Sequence, residues 1–508
     1  MSQSEKFYIT TPIYYVNDRP HIGHLYTTIA ADVLARFQRL RRVDVFFLTG
    51  TDENSQKNVE AAAKHGYKNI QEYLDVMAAT WQSTFSDLQM SNNAFIRTTE
   101  KRHRVAVEKF WALVKDRGDI YLGEYEGMYC TGCEGFKLEG DLVDGLCPLH
   151  KKAPDKIKEK NYFFRLSAYR DRLLEHIDNH PEFIQPITRR NEVRSYIEKF
   201  MEDVSISRDV SSLRCGIPVP GDDSQVIYVW FDALINYLTG VGFGSDEATF
   251  VRYWPADVHL VGKDIIKFHC ALWPAMLMSA GLSLPKQIFA HGFFTIDGEK
   301  MSKSLGNVID PLEVVKKYGQ DPLRFFLLKE ITFGEDGDFS LKRLQDRYQG
   351  DLGNELGNLV HRTLSMTEKY QAGQVLKGKN TNEQNLLKDE WSRYEQAVLK
   401  LDFGGALEII WEMLRWSNKY IDEKKPWVIA KEQPDLIPEI LFNLLERLRH
   451  VAWLLKPFMP ETSAKMFEQL GIADHEAQKT YEQAQIWGGF PENATIVKGE
   501  PLFPRLEE

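Results

Sequence analysis

The run His21-Ile22-Gly23-His24 decides the fold, because it separates a strand-like segment from a helix-like one. Residues 6–11 are rich in β-branched and aromatic side chains and predict a strand that ends at Pro12. After a loop, apolar residues recur at helical spacing, at Leu25, Ile29, Val33 and Phe37. The sequence therefore predicts a strand followed by a helix, with both histidines at the helix N-terminus.

A helix N-terminus attracts phosphate, because its first N–H groups lack partners and carry positive partial charge. Two imidazoles at that place can donate hydrogen bonds to phosphate oxygens, and Gly23 lets a base approach the backbone. The alternative is a pair of histidines that only cap the helix. The short motif leaves both interpretations open.

A second motif, Lys300-Met301-Ser302-Lys303-Ser304, lies far along the chain. It follows a strand-like run, residues 288–296, and an Asp297-Gly298 pair typical of a hairpin turn. Two lysines on a loop of small polar residues can neutralise the β- and γ-phosphates as pyrophosphate leaves. If the motif stood alone, the better interpretation would be a basic turn that only faces solvent. Together with the histidines, the motif predicts an ATP site built from both halves of a split α/β fold.

Two buried-strand candidates add further site residues. Residues 44–50 form a continuous apolar run, and Asp52 follows its carboxyl end, where α/β sheets bind ligands. Residues 258–262 form another run, followed by a helical stretch over residues 263–280 with Ile265 and His269 on one face. Asp52 could pair with an ammonium group or merely cap a helix. His269 could face the same ligand or belong to the core.

A metal site is predicted by two ligand pairs. Cys130-Thr131-Gly132-Cys133 is followed by thirteen residues and then by Cys147-Pro148-Leu149-His150. Three thiolates and one imidazole can enclose a tetrahedral Zn²⁺ with no open position, so the ion would be structural. A disulfide with two bystander residues is the alternative.

The last third of the chain predicts a helical bundle. From about residue 344 strand signals end, and one helical stripe contains Leu407, Ile410, Trp411, Leu414, Asn418 and Ile421. Pro426 interrupts this pattern and Trp427 follows at once. An aromatic ring beyond a helix end can stack on an unpaired base, although a core position is the commoner role.

Composition limits the possible functions. At 508 residues the chain predicts about three domains. It shows no apolar signal core and no membrane-spanning run, so we expect a cytoplasmic protein with no membrane contact. The net charge of −10 means that any nucleic-acid surface is a local basic patch.

These motifs resemble those of the class I aminoacyl-tRNA synthetases. Over essentially its whole length the chain is similar to the methionyl-tRNA synthetase family within that class, at residues 10–17, 48–53, 228–233, 262–265, 268–269, 300–304 and 425–427. It departs at Asn54-Ser55, where family members commonly have His-Gly.

The resemblance implies residue roles. The catalytic and ATP-binding set would be His21, Gly23, His24, Lys300, Ser302 and Lys303. The methionine-binding set would be Ile13, Tyr15, Asp52, Trp230, Tyr237, Ile265 and His269, with Asp52 on the ammonium. The set that reads the CAU anticodon would be Asn358, Arg362, Pro426 and Trp427.

The implied fold is a split, Rossmann-like, doubly wound parallel sheet with a zinc-knuckle connective insertion, followed by an all-α anticodon-binding bundle. The expected domains are two catalytic halves at residues 1–116 and 227–290, an insertion at 117–226 with the knuckle at about 126–157, a lysine-loop linker at 291–345 and the bundle at 346–508.

The implied activity is that of a methionine–tRNA ligase serving translation initiation and elongation. It would use Mg²⁺ with ATP and one structural Zn²⁺, and its partners would be L-methionine, ATP and tRNA(Met). We expect a monomer, because the chain stops at Glu508 without the dimerising domain of some members. Three other functions are alternatives to this activity: a synthetase for another amino acid, a small-molecule nucleotidylyltransferase and a catalytically silent tRNA-binding paralogue.

Overall fold

The computed structural model describes residues 5–130, 135–137, 140, 142–148, 151–210, 215–296, 298–300, 309–377, 384–491 and 494–506. The chain forms two compact units. The sheet unit comprises residues 6–20 and 45–291, and the helical unit comprises residues 1–5, 21–44 and 292–508.

The strands, in chain order, are β1 Lys6–Tyr15, β2 Asp44–Asp52, β3 Ala94–Arg97, β4 Ile120–Cys130, β5 Gly135–Lys137, β6 Asp155–Phe164, β7 Ile184–Gln185, β8 Val204–Ser205, β9 Ser207–Asp209, β10 Pro218–Val219, β11 Asp222–Ile227, β12 Val258–Gly262, β13 Gln287–His291, β14 Phe294–Ile296, β15 Glu299–Lys300 and β16 Gly337–Phe339.

The α-helices are α1 Ile22–Leu40, α2 Gln56–Lys64, α3 Ile70–Asp87, α4 Lys101–Asp116, α5 Arg170–Asn179, α6 Ile187–Phe200, α7 Val229–Leu234, α8 Asn236–Thr239, α9 Glu247–Tyr253, α10 Trp273–Ala280, α11 Pro311–Tyr318, α12 Gln320–Lys329, α13 Leu341–Arg347, α14 Asn358–Gln371, α15 Gln384–Leu399, α16 Phe403–Lys424, α17 Pro426–Glu432, α18 Ile437–Leu455, α19 Pro460–Gln469, α20 Ala473–Ala477 and α21 Tyr481–Ala484. π-Helical stretches cover Phe268–Leu272 and Tyr348–Gly357, and short 3₁₀ turns cover Leu166–Tyr169, Lys263–Ile265 and Pro434–Leu436.

A six-stranded sheet organises the sheet unit, with strand order β3-β2-β1-β12-β13-β7. The pairs β1–β12, β12–β13, β13–β7 and β2–β3 are parallel. The central strands β1 and β12 belong to segments about 250 residues apart and pair at Ile9–Val258 and Thr10–His259. The predicted split Rossmann-like sheet is therefore confirmed.

The β1 prediction was wrong at its end, because the strand passes through Pro12 and stops at Tyr15. Proline fixes φ near −65°, which an extended chain accepts, and its missing N–H is harmless where no ladder bond needs it. The pairing with β12 ends at Thr10, two residues earlier.

A long antiparallel ribbon lies between the two halves of the main sheet in the sequence. Strands β4 and β6 pair from Ile120–Phe164 to Tyr129–Asp155, within a sheet ordered β5-β4-β6-β8. A second small sheet has the order β10-β11-β9. Residues 184–185 return to the main sheet as β7. One edge strand of that sheet therefore belongs to the segment predicted as the insertion, residues 117–226.

The run predicted as one strand at residues 288–296 is two strands, β13 and β14, which belong to different sheets. They separate at Gly292, where a Cβ atom would lie 2.3 Å from the carbonyl oxygen of Glu335. Only glycine permits that approach, so the chain leaves the main sheet at this residue.

Helices dominate the rest of the helical unit, as predicted. Helix α16 buries the apolar members of the expected stripe, and Asn418 is partly exposed. The buried members are Leu407, Ile410, Trp411, Leu414 and Ile421. Helix α18 is buried along nearly its whole length. Among the described residues, none of the helices is long and apolar enough to cross a membrane.

Candidate functional site

The two histidines of the first motif form a reciprocal cap on α1. The Nδ1 atom of His21 accepts a hydrogen bond from the Gly23 N–H (3.1 Å), and the Nδ1 atom of His24 accepts one from the His21 N–H (3.2 Å). The two rings stack with centroids 3.6 Å apart. This arrangement fixes both imidazoles at the phosphate-attracting end of the helix.

Burial keeps these rings uncharged. It lowers the pKa of His21 to about 4, and burial together with the nearby His21 ring lowers the pKa of His24 well below its usual value. A neutral imidazole whose Nδ1 accepts a hydrogen bond must carry its proton on Nε2. Capping therefore uses one nitrogen of each ring and makes the other a hydrogen-bond donor.

The hairpin that leads into the lysine loop is present as predicted. Strands β14 and β15 pair antiparallel at Ile296–Glu299, and Gly298 takes a positive φ of 82° in the turn. Asp338 holds the turn by accepting hydrogen bonds from the Gly298 N–H (2.7 Å) and the Thr295 hydroxyl (2.6 Å). Lys300 is the last residue of β15, whereas Ser302 and Lys303 lie outside the described residues.

Three residues of the predicted methionine set form one hydrogen-bonded chain. His269 Nδ1 lies 3.0 Å from the Ile265 carbonyl oxygen, and His269 Nε2 lies 2.7 Å from the Tyr237 hydroxyl. A carbonyl only accepts, so Nδ1 carries the proton. Burial lowers the pKa of His269 to about 4. The ring is therefore neutral, and Tyr237 donates its proton to Nε2.

Trp230 belongs to the same cluster. Its ring stacks on Phe268 with centroids 4.0 Å apart and planes 2° apart, and it meets His269 edge-on at 6.1 Å. Trp230, Ile265 and Ile13 are partly buried and pack against the core of the sheet unit. Four of the seven predicted residues, Trp230, Tyr237, Ile265 and His269, are thus brought together by direct contacts.

Asp52 and Tyr15 lie at neighbouring strand ends. Asp52 is buried at the last position of β2, and its carbonyl accepts a hydrogen bond from the Asn58 amide at 3.0 Å. Tyr15 ends β1, and the Lys57 ammonium lies 4.5 Å from its ring centroid.

The end of β2 is held by the residue after Asp52. The buried Glu53 carboxylate receives two hydrogen bonds from Arg97 at the end of β3, at 2.7 and 3.1 Å. Such two-pronged guanidinium–carboxylate pairs fix orientation as well as distance.

His259 is a residue that the sequence reasoning did not single out. It is fully buried on β12, its ring lies 4.3 Å from that of Tyr237, and its Nδ1 lies 2.7 Å from the Thr10 hydroxyl. Trp273 donates to its Nε2 at 3.4 Å, so the His259 proton is on Nδ1. The sequence did contain a signal for this residue, because a histidine interrupts the otherwise apolar run of β12.

The predicted anticodon residues lie on α14 and at the start of α17, both in the helical unit. Trp427 is 44% exposed just after the α16–α17 junction, which excludes the core alternative. Lys425 takes the left-handed conformation there, and Pro426 starts α17 and is buried. Asn358 starts α14 and is exposed, and Arg362, one turn on, lies 3.8 Å from Asp422 near the end of α16.

The cysteine pairs are described only in part, because Cys133 and His150 lie outside the described residues. Cys130 and Cys147 are buried and neither forms a disulfide. Cys130 pairs with Gly135 across the β4–β5 connection, and the Lys151 N–H bonds to the Cys147 carbonyl at 2.7 Å. Over the described part of the chain no cluster of three metal-ligating side chains occurs.

Comparison with known proteins assigns the chain to a class. Residues 7–156 and 134–364 match the family model for class I tRNA synthetases (M), and residues 372–508 match the anticodon-binding domain of methionyl-tRNA ligase. The fold and the capped His-Ile-Gly-His helix thus define a class I aminoacyl-tRNA synthetase.

Individual relatives narrow this class. The methionine–tRNA ligase of Caldanaerobacter subterraneus is 47% identical over 99% of this chain and 79% of its own length, and that of Thermotoga maritima is 44% identical over 99% and 80%. The structure of Mycobacterium tuberculosis methionyl-tRNA synthetase in complex with methionyl-adenylate superposes with a TM-score of 0.93 at 42% identity, covering 99% of this chain and all of that one. The chain belongs to the methionine–tRNA ligase family.

Proposed function

We propose that the residues described above carry the two-step reaction of a methionine–tRNA ligase in this chain. Methionine is first joined to ATP: a carboxylate oxygen attacks the α-phosphorus, and the bond to the departing pyrophosphate breaks. The terminal ribose hydroxyl of the tRNA then attacks the carbonyl of methionyl-adenylate, and AMP leaves. Neither step needs a protein nucleophile, so the rate comes from positioning and charge stabilisation.

The ATP part of the proposal rests on the capped imidazoles. His21 and His24 each have a proton on Nε2, and neutral donors fixed in advance can stabilise the charge that develops on phosphate oxygens. Lys300 and Lys303 would neutralise the departing pyrophosphate, and Gly23 and Ser302 would contact the nucleotide. Mg²⁺, bound with ATP, supplies further charge neutralisation.

The proposed methionine pocket is supported by the contacts that Tyr237 and Trp230 make with His269. Trp230, Tyr237, His269 and Ile265 offer aromatic and aliphatic surfaces, which suit a flexible, polarisable thioether. Both His269 nitrogens are engaged, by Ile265 and Tyr237, so this residue acts by fixing the Tyr237 hydroxyl. Ile13 and Tyr15 would complete the pocket, and the Asp52 carboxylate would pair with the methionine ammonium.

We also propose that Cys130, Cys133, Cys147 and His150 hold one structural Zn²⁺. The two described thiols are buried, free of disulfides and adjacent to tight connections, as ligands of a zinc knuckle are. Bound zinc would tie the two ligand pairs together in a segment that is too short to bury a core of its own.

The anticodon proposal rests on the exposed ring of Trp427, which can stack on an unpaired base. Asn358 and Arg362 would bond to base edges, and Pro426 would hold the start of α17. A cytoplasmic location, a monomeric state and the expected domain boundaries stay predictions.

The decisive experiment separates catalysis by His21 from capping by His21. Asparagine is a good N-cap whose side-chain oxygen can replace Nδ1 of the imidazole, but it has no donor at the Nε2 position. We expect His21→Asn to keep the melting temperature of the parent protein and to lose about 100-fold in the kcat of ATP–pyrophosphate exchange. Full exchange activity in a well-folded His21→Asn variant would show that His21 only caps the helix and has no catalytic role.

A further inference from the structure

A fully buried carboxylate, Asp232, lies between two side chains from distant parts of the sheet unit. Its Oδ2 atom accepts a hydrogen bond from the Asn54 amide at 2.7 Å, and its Oδ1 atom lies 2.7 Å from His103 Nε2. The four side chains Asn54, His103, Asp232 and Thr239 are all buried. The network continues from His103 Nδ1 to the Thr239 hydroxyl at 3.0 Å.

Three members of this network sit beside residues of the methionine set. Asn54 is two residues after Asp52, at the end of β2. Asp232 is two residues after Trp230 on α7, and Thr239 is two residues after Tyr237 on α8. The hydrogen bonds therefore connect the strand end that carries the ammonium partner to the two helices that carry the aromatic rings.

The donors and acceptors in the network match. A carboxylate only accepts, so Asn54 presents its Nδ2 and His103 presents a protonated Nε2. Asn54 Nδ2 also lies 3.3 Å from the Thr98 carbonyl oxygen, which gives the second amide proton a partner. Loss of the amide would leave Asp232 Oδ2 buried without this donor, and an unmet buried acceptor is costly.

We propose that Asn54 is a positioning residue that fixes Trp230 and Tyr237 relative to Asp52 through Asp232, and so sets the fit of the pocket to the methionine side chain. This inference rests on the methionine-pocket assignment proposed above. It gives a role to the position at which this chain departs from the common His-Gly of its family. Asn54 supplies two protons from a single nitrogen, one toward Asp232 and one toward Thr98.

The neighbouring departure, Ser55, fits the same local structure without strain. Its φ of −131° is an extended conformation open to any residue, so glycine is not required. Its side chain accepts a hydrogen bond from the Lys57 N–H at 3.1 Å and caps α2. The serine thus stabilises the segment that follows Asn54.

The test replaces Asn54 by leucine, which has a similar volume and no donor, and measures ATP–pyrophosphate exchange. We expect the KM for methionine to rise about tenfold, as one unmet buried bond predicts, while the KM for ATP stays within about twofold. A loss of discrimination against ethionine should accompany the change. Equal rises in both KM values, or an unchanged KM for methionine, would overturn the proposal.

A second variant reverses the hydrogen bond and keeps the same groups. In the double variant Asn54→Asp/Asp232→Asn the new amide donates to the new carboxylate, and the carbonyl oxygen of that amide can still accept from His103. The new carboxylate at position 54 also faces the Thr98 carbonyl oxygen, which lies 3.3 Å from the amide nitrogen that is replaced, so we expect partial recovery. Asn54→Asp alone places two carboxylates together and should raise the KM for methionine more than about tenfold, and the double variant should lower that raised KM at least about threefold. Failure of the double variant to recover, relative to Asn54→Asp, would contradict the inference even if the leucine variant does not fold.

The parent enzyme distinguishes this inference from the proposed function. If the unaltered protein shows no methionine-dependent exchange, the proposed function fails. If it shows that exchange and the variants keep the parent KM for methionine, only the role of Asn54 fails.

Discussion

Replacement of Arg324 by methionine should strongly destabilise the helical unit. Arg324 lies on α12 and its guanidinium is almost fully buried. Its Nη2 donates to Asp32 on α1 at 2.7 Å and to the Pro457 carbonyl at 3.0 Å, and its Nε donates to the Phe458 carbonyl at 2.8 Å. One side chain thus joins the helix that starts after His21 to the turn after α18.

The magnitude follows from what the substitution leaves behind. Asp32 keeps a 2.7 Å bond to Arg36, but two carbonyls lose this donor and a buried carboxylate loses an almost fully buried partner. Breaking a buried ion pair from one side costs about 3–5 kcal/mol. For a unit of this size we expect a fall in melting temperature of roughly 10 °C.

Thermal unfolding followed by circular dichroism measures this effect, and Arg36→Gln is the matched control. Arg36 bonds to the same carboxylate oxygen but is partly exposed, so its loss should cost less than about 1 kcal/mol. If Arg324→Met and Arg36→Gln lower the melting temperature equally, the buried pair does not hold these elements together.

Three further predictions concern other parts of the chain. Trp427→Ala should raise the KM for tRNA about tenfold or more, since base stacking contributes about 1–3 kcal/mol, and should leave ATP–pyrophosphate exchange unchanged; equal losses in both assays would contradict the anticodon role. Cys147→Ser should lower the zinc content measured by atomic absorption from one ion per chain to almost none, and retained zinc would remove Cys147 from the ligand set. The lowered pKa of His269, about 4 against 6.5, means that its stabilising contribution is complete above pH 6.5 and is lost as pH falls toward 4. Denaturant unfolding of His269→Gln should therefore depend less on pH than the parent, by about 2 kcal/mol between pH 7 and pH 5, and an identical pH dependence would show that this histidine is not held neutral.

Local patterns predicted the elements whose partners are near in sequence. Strand β12 has the predicted bounds, Val258–Gly262, because a short apolar run between polar residues is itself the signal of a buried strand. The hairpin at Gly298 and the helix that starts after His21 were also predicted, since turn and capping residues act over two to four positions.

The family resemblance implied the split sheet, but three other features that depend on distant partners were not predicted. The π-helical turn at Phe268–Leu272 lies inside a stretch with ordinary helical periodicity, yet it places His269 on Tyr237. The pair Asn54–Asp232 joins residues 178 positions apart, and the sequence offered only an unusual dipeptide as a signal. The continuation of β1 through Pro12 depends on where its pairing with β12 stops, which no local pattern reveals.

We expect the cluster around Tyr237 and His269 to select methionine for reaction with ATP. The most direct measurement is ATP–pyrophosphate exchange with the purified protein across the standard amino acids, repeated with Tyr237→Phe. We expect strong exchange with methionine alone, and a raised KM for methionine when the hydroxyl that is bonded to His269 is removed. Exchange driven equally well by another amino acid, or a Tyr237→Phe variant with the parent KM for methionine, would contradict it.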